Sequence, residues 1–339
     1  MPLRAVENPP NPWHGAHVEW IDAPPPAQLK VYEEEAKSLV VEHDSPDIGF
    51  RFGANPYRGC QHACAYCYAR PTHEYLDFGA GTDFDTKIVV KTNAPELLAK
   101  ELATNRLDGQ PLVLSGNTDC YQPLEAHYRL TRRCLEACRA RGVGVAIITK
   151  GALVRRDIDI LARIAREGGA TVNITVPFLD AEVARAIEPL APSPRTRFDA
   201  MRALSEAGIE VGVSCAPMIP GLNDSDLPRI LEAAQAHGAR RAFMTMLRLP
   251  ASVLPVFRER IATAFPDRAK KIEHAILEMR GGRWNEADFG RRMRGEGERW
   301  KMVESLFRVT CRRLGLDDGE AQLARPGDKR GRQGELFGP

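Results

Sequence analysis

Between residues 87 and 247 short apolar runs alternate with amphipathic stretches. The segment 87–92 (KIVVKT) reads as a strand, and 95–104 as a helix with Asn93 near its cap. Strand 111–115 (PLVLS) precedes helix 124–141. The run 143–149 (VGVAIIT) is almost continuously apolar, as suits a strand buried on both faces. Helix 157–166 carries Ile158, Leu161, Ile164 and Ala165 on one side. Strand 170–176, helix 195–207 closed by Gly208, strand 209–216, helix 225–237 and strand 241–247 complete the series. A shorter candidate strand, 48–57, comes before all of these.

Strand–helix repetition predicts a parallel sheet covered by helices, an α/β fold of about six or seven units. Residues 1–47 are Pro-rich and acidic and predict an irregular arm over the barrel surface. The core should span 48–250, followed by a helical extension over 251–324 and a disordered basic tail over 325–339. One unit of this size is compatible with the 339 residues, since α/β barrels run to a couple of hundred residues as one domain.

Composition narrows the class only slightly. The chain is 43% hydrophobic and 27% charged with a net charge of +2, so overall charge points to neither nucleic acid nor membrane. No stretch approaches the ~20 apolar residues of a membrane span. The first residues carry no apolar run, so no export signal is expected and the location should be cytoplasmic. The eight cysteines should then be reduced thiols rather than a disulfide framework.

Three of them change the picture. Cys60, Cys64 and Cys67 fall within Gly59-Cys-Gln-His-Ala-Cys-Ala-Tyr-Cys-Tyr68, at spacings of four and three. Thiolates select zinc, copper(I) or iron–sulfur clusters. A zinc knot would need a fourth ligand such as His62 or His73. A [4Fe–4S] cube usually takes four cysteines; the next one in the chain is Cys120, so a cube here would keep one iron open. Gly59 allows close backbone approach.

The C-x3-C-x2-C loop, with Tyr66 before its last cysteine, resembles that of the radical S-adenosylmethionine (radical SAM) superfamily. The stretch Thr118-Asp119-Cys120-Tyr121-Gln122-Pro123-Leu124-Glu125 further resembles the branch related to spore photoproduct lyase, a DNA repair enzyme. Leu130-Thr131-Arg132, Thr149-Lys150 through Arg156-Asp157, Glu188-Pro189 and 216–224 extend the likeness over about 50–250. The resemblance implies a partial (β/α)6 TIM-like barrel and a [4Fe–4S] cluster on Cys60, Cys64 and Cys67. It implies S-adenosyl-L-methionine as cofactor, split reductively to methionine and a 5′-deoxyadenosyl radical. It also implies a low-potential electron donor such as flavodoxin or ferredoxin.

On the same footing, Ser115, Gly116, Asn117, Thr118 and Asp119 lie where the amino end of SAM is bound. Asp119 equally suits the start of a helix. The backbone of Tyr66, and the segment containing Pro217 and Met218, should approach the adenine. Lys150, at a strand end, is placed for the ribose or carboxylate, or else reaches out to water. Asn173 and Thr175 alternate on one strand and so share a face. Arg195 or Arg197 suits the SAM carboxylate, as Glu188 suits either arginine. Cys120 is a candidate hydrogen-atom donor, although the donor cysteine of spore photoproduct lyase would align with Gly116. The basic stretch 280–313 could meet a nucleic-acid substrate or be a solvated helix face. Radical modification of a peptide or small metabolite is the alternative, and a non-enzymatic iron–sulfur or zinc module a third.

Overall fold

A computed structural model describes residues 28–104 and 106–318. The expected basic tail therefore lies outside the described residues, as does most of the expected N-terminal arm. The described strands are β1 (Lys30–Glu34), β2 (Val40–Glu42), β3 (Phe52–Ala54), β4 (Tyr57–Arg58), β5 (Lys87–Lys91), β6 (Leu112–Leu114), β7 (Val145–Thr149), β8 (Ala170–Thr175), β9 (Glu210–Met218) and β10 (Arg241–Met246). The main sheet runs β10-β9-β8-β7-β6-β3-β2. Its β3, β6, β7, β8, β9 and β10 are all parallel, and β2 adds antiparallel at the far edge. This is the expected partial (β/α)6 barrel.

The alternation of side chains explains its two sides. Val145, Ile147, Val172, Ile174, Val211 and Val213 are buried among the helices in the main core. The intervening positions of the same strands, among them Ala146, Ile148, Asn173 and Ser214, face inward. On the helix side, Leu130–Ala140, Ile158–Glu167, Pro194–Glu206 and Leu227–Ala236 each return the chain for the next parallel strand.

Four expectations are corrected. The strand expected at 87–92 forms as β5 but leaves the barrel. It pairs with β1 and β4 in a separate three-stranded sheet, while β3 pairs directly with β6. Ile88 and Val90 are satisfied there by Tyr57 and Leu130. The single strand expected at 48–57 is split at Asn55-Pro56 between the two sheets, because proline supplies no N–H to continue a ladder. Part of the stretch expected as an irregular arm, 30–42, contributes β1 and β2. The helix expected at 124–141 is likewise broken at Arg129, whose φ of 54° is left-handed.

The sheet does not close on itself. Beyond β10 the strand direction is continued by backbone bonds from Ala242 N–H to the Asp317 carbonyl and from Asp317 N–H to the Arg240 carbonyl. The open side of the sheet beside β10 is covered by residues 47–50, residues 293–294 and the helix Gly297–Leu314. That helix turns Trp300, Val303, Phe307 and Cys311 inward at helical spacing. Each such large side chain contributes about 1.5–3 kcal/mol by burial.

Candidate active site

The cysteine loop joins β4 to the helical turn Arg70–Leu76, on the side of the sheet where the parallel strands end. Successive backbone bonds shape it: Ala63 N–H to the Cys60 carbonyl, Cys67 N–H to that of Cys64, and Arg70 N–H to that of Cys67. Gly59 opens the turn at φ 79°, and a Cβ there would come within 2.8 Å of the His73 ring and 2.9 Å of the Phe84 carbonyl. Only glycine meets both demands without strain.

Side chains then pin the loop from four directions. Arg70, 1% exposed, donates to the carbonyls of Cys64, Ala80 and Gly81 and to Asp85. Gln122 accepts from Gln61 N–H at 2.9 Å and donates to the Gly59 carbonyl at 3.2 Å. His62 Nδ1 lies 3.2 Å from Asp119. The Tyr66 hydroxyl donates to Glu188, and Ala65 N–H to the Ile187 carbonyl. Of these anchors, Arg70 is absent from the sequence reading, and Gln122 enters it only as part of the 118–125 stretch, without a role. Arg70, three residues past the last cysteine, was the available signal.

The donor set fits a multi-iron centre better than one ion. Burial raises all three thiols, Cys64 to about 12, so without a compensating cation the sulfurs keep their protons. Metal binding would release those protons. Among the described residues no three His, Cys, Asp or Glu side chains are gathered closely enough for a single ion. Of the histidines suggested as a fourth zinc ligand, His62 bonds Asp119 through Nδ1 and His73 bonds the Lys87 carbonyl through Nε2 at 2.8 Å, while His73 Nδ1 has no partner.

Above the strand ends the expected cofactor residues separate into two groups. Asp119 accepts from the Thr149 hydroxyl at 2.6 Å, from Lys150 N–H at 2.8 Å and from Tyr121 N–H at 2.9 Å. Burial raises its carboxyl, but His62 and these donors outweigh it and hold it well below the usual carboxylate range. Asp119 thus ties the cysteine loop to the end of β7 instead of presenting a free carboxylate. The Thr118 hydroxyl donates to the Tyr57 carbonyl, and the Ser115 hydroxyl accepts from Cys120 N–H. The Gly116 carbonyl accepts from the Tyr68 hydroxyl, and Asn117 N–H donates to Asn55.

Two assignments need correcting, those of Arg197 and Cys120, and the segment with Pro217 and Met218 is placed as follows. Arg197 is 1% exposed and donates to Glu188, to the Thr175 carbonyl and to the Pro192 carbonyl. It holds Glu188 in place and spends three of its five N–H donors on these buried contacts. Cys120 is fully buried in the strand–helix core beside Leu135 and Cys134, not in the barrel interior. The Met218 side chain is in that core, and its carbonyl accepts from Leu247 N–H. The Pro217 carbonyl accepts from Asn223, which also bonds Ile219 N–H and the Pro177 carbonyl.

The second group stays available. Lys150 Nζ sits 3.9 Å from Glu188 and 5.5 Å over the Tyr66 ring. Burial lowers its ammonium, but Cys64 and Glu188 outweigh that and raise it, so it is charged. Thr175 and Asn173 share the inward face of β8, and the Asn173 Oδ1 has no partner. The basic stretch, in contrast, is largely spent on internal contacts: Arg291 with Glu296, Arg292 with Asp47, Arg294 with Glu304, Arg299 with Asp224 and Arg313 with Glu232. Arg280 is buried against the carbonyls of Leu247, Arg292 and Arg294.

Comparison with known proteins adds three findings. The model of the Radical SAM superfamily matches residues 54–234. An uncharacterised protein of Mycobacterium tuberculosis is 40% identical over 222 residues, 65% of each chain, so the match spans about two thirds of that relative's length. One from Methanocaldococcus jannaschii is 32% identical over 198 residues, 58% of this chain and 71% of the relative. Spore photoproduct lyase complexed with dinucleoside spore photoproduct superposes with a TM-score of 0.60 at 16% identity, covering 85% of this chain and 81% of that one. At that identity the likeness is one of fold.

Proposed function

Because this chain belongs to the Radical SAM superfamily, whose members use a [4Fe–4S] cluster and SAM, we propose that it is an enzyme that generates a carbon radical on a substrate held in its barrel. When bound, the cluster supplies the electron that splits SAM into methionine and a 5′-deoxyadenosyl radical, which takes a hydrogen atom. Cys60, Cys64 and Cys67 would hold three irons. Arg70, Gln122 and the Tyr66–Glu188–Arg197 chain fix the loop that would carry them. Lys150, Thr175 and the Ser115–Asn117 turn line the place left for SAM. The buried surroundings of the three thiols keep water from the site. An external low-potential donor of the flavodoxin or ferredoxin kind would supply the electron.

The observation that carries this reading is the pinned three-cysteine loop, beside which no set of three side chains is gathered for a single ion among the described residues. A compact substrate, a metabolite or part of a peptide, is favoured over a nucleic acid, because the arginines that would meet phosphates are paired internally. The test is anaerobic reconstitution with iron and sulfide, then dithionite and SAM, with 5′-deoxyadenosine as readout. Cys64→Ala should lose iron and product while keeping its fold. Equal product from that variant would remove the assignment.

A further inference from the structure

Strand β10 ends at Met246, and Arg248 stands two residues beyond it, on the side where the parallel strands end. The backbone around it is fixed: Leu247 N–H donates to the Met218 carbonyl, and Leu249 N–H donates to Asn285 at 3.1 Å. The Arg248 side chain reaches the Tyr68 ring, its guanidinium carbon 5.6 Å from the ring centroid. Tyr68 directly follows Cys67, and its hydroxyl donates to the Gly116 carbonyl just past the end of β6. The ring is 48% exposed. Guanidinium and ring together form one open wall beside the cysteine loop.

Three cations stand close enough to act on the Tyr68 hydroxyl: Arg248, Lys150 and Arg292. Two of them have acids. Lys150 lies 3.9 Å from Glu188, and Arg292 bonds Asp47 and Ser45. Arg248 has no carboxylate within ion-pair distance among the described residues; the acid that acts on it, Asp47, is the one that holds Arg292. Its Nη1 meets only the Met293 sulfur, at 3.9 Å, and its Nε is shielded without a partner. Nη2 has no partner and is not among the shielded atoms. The edge left to a ligand is therefore the one formed by Nη1 and Nη2. Burial works most against the Arg248 charge, and Arg292 adds to it; Tyr68 and Asp47 offset only part, so the group is held below its ordinary value. It stays charged all the same. Buried charges are ordinarily paired, and a partly buried cation with one open edge is a place for an anion.

We propose that Arg248 binds a carboxylate of the substrate, gripping it end-on through Nη1 and Nη2 and laying that end of the molecule along the Tyr68 ring. The planar fork of a guanidinium matches the two oxygens of a carboxylate. One open cation matches one negative charge. A phosphate dianion would leave a second charge unmet, since Lys150 and Arg292 are already engaged. Arg248 is then a specificity-determining residue: it selects acids and fixes how far the rest of the molecule extends from the cysteine loop. The word substrate rests on the radical SAM reading; the anion site rests on Arg248 and Tyr68 alone.

The test is calorimetric titration of the full-length, cluster-reconstituted chain with benzoate, with neutral benzamide, with inorganic phosphate and, separately, with SAM. One benzoate per chain is expected, with phosphate weaker and benzamide weaker by at least about tenfold, the size of one lost charge-assisted hydrogen bond. Arg248→Met should weaken benzoate by the same factor and bring it level with benzamide. Arg248→Lys should keep part of the affinity, because a point charge remains without the fork. Circular dichroism and a thermal melt establish that each variant is folded; if Arg248→Met does not fold, Arg248→Gln takes its place. SAM affinity should stay within about twofold in every variant.

Absence of benzoate binding to the parent chain overturns the proposal. So does equal benzoate binding by Arg248→Met and the parent, or benzamide binding as tightly as benzoate. Phosphate binding tighter than benzoate overturns the carboxylate assignment. A loss of SAM affinity in Arg248→Met matching the loss for benzoate assigns Arg248 to the cofactor and also overturns it. The expected benzoate pattern, in a protein that neither binds nor cleaves SAM, supports the anion site and removes the radical SAM reading instead.

Discussion

Removing Arg197 tests how the cysteine loop is held. Glu188 is 1% exposed and Arg197 likewise, and they form a direct ion pair. Glu188 also accepts from the Tyr66 hydroxyl, between the second and third cysteines. Arg197→Met keeps most of the side chain's volume and deletes its charge, leaving a buried carboxylate with less compensation. Such a loss costs about 3–5 kcal/mol. Lys150 remains 3.9 Å away and the Tyr66 bond persists, so the low end, about 3 kcal/mol, is expected. At roughly 2 °C per kcal/mol for a chain of this size or larger, the melting midpoint should fall by about 6 °C.

The pH dependence gives a second handle. Burial raises the Glu188 carboxyl, but Arg197, Lys150 and the Tyr66 hydroxyl outweigh it and hold it below its usual 4.5. In the parent chain the pair's contribution is therefore present above that value and fades as pH falls through the lower, folded value. Without Arg197 the burial effect gains, and protonating Glu188 relieves the variant. The deficit should be largest near neutral pH and shrink toward pH 4.5. Glu188→Gln combined with Arg197→Met should recover part of the loss, since no unpaired charge remains. Thermal melts of the three proteins across pH check this. A deficit under about 1 kcal/mol, or one that widens as pH falls, would refute the reasoning.

Two further outcomes follow from the same geometry. Gly59→Ala places a Cβ against the His73 ring and the Phe84 carbonyl at a φ of 79°. It should cost about 1–3 kcal/mol and lower the iron retained per chain, read by thermal melt and iron assay; no change in either would show that the turn can yield. Arg291→Glu with Arg294→Glu breaks pairs to Glu296 and Glu304 on half-exposed surface. It should leave SAM cleavage unchanged and make no difference in a salt-dependent DNA-binding assay, whereas a marked loss of DNA binding relative to the parent would restore the nucleic-acid reading.

Local order carries what the sequence determined by itself. Three cysteines at spacings of four and three are neighbours in any compact turn, so the metal-binding chemistry was legible without coordinates. Strand and helix periods were legible too, because burial acts on every second or every third and fourth residue wherever the element goes. The shared inward face of Asn173 and Thr175 followed from alternation alone.

Only the tertiary structure decided which partner each polar group takes. Arg197 has the chemistry for a ligand carboxylate, but Glu188 reaches it first; Asp119 is bound by His62 and Thr149, and Cys120 faces the helices. The same holds for β5, whose apolar run suits a barrel strand but finds β1 and β4 across more than fifty and thirty residues of chain. Such pairings depend on distance in space, and a side chain's type states what it can bond, not what will stand beside it.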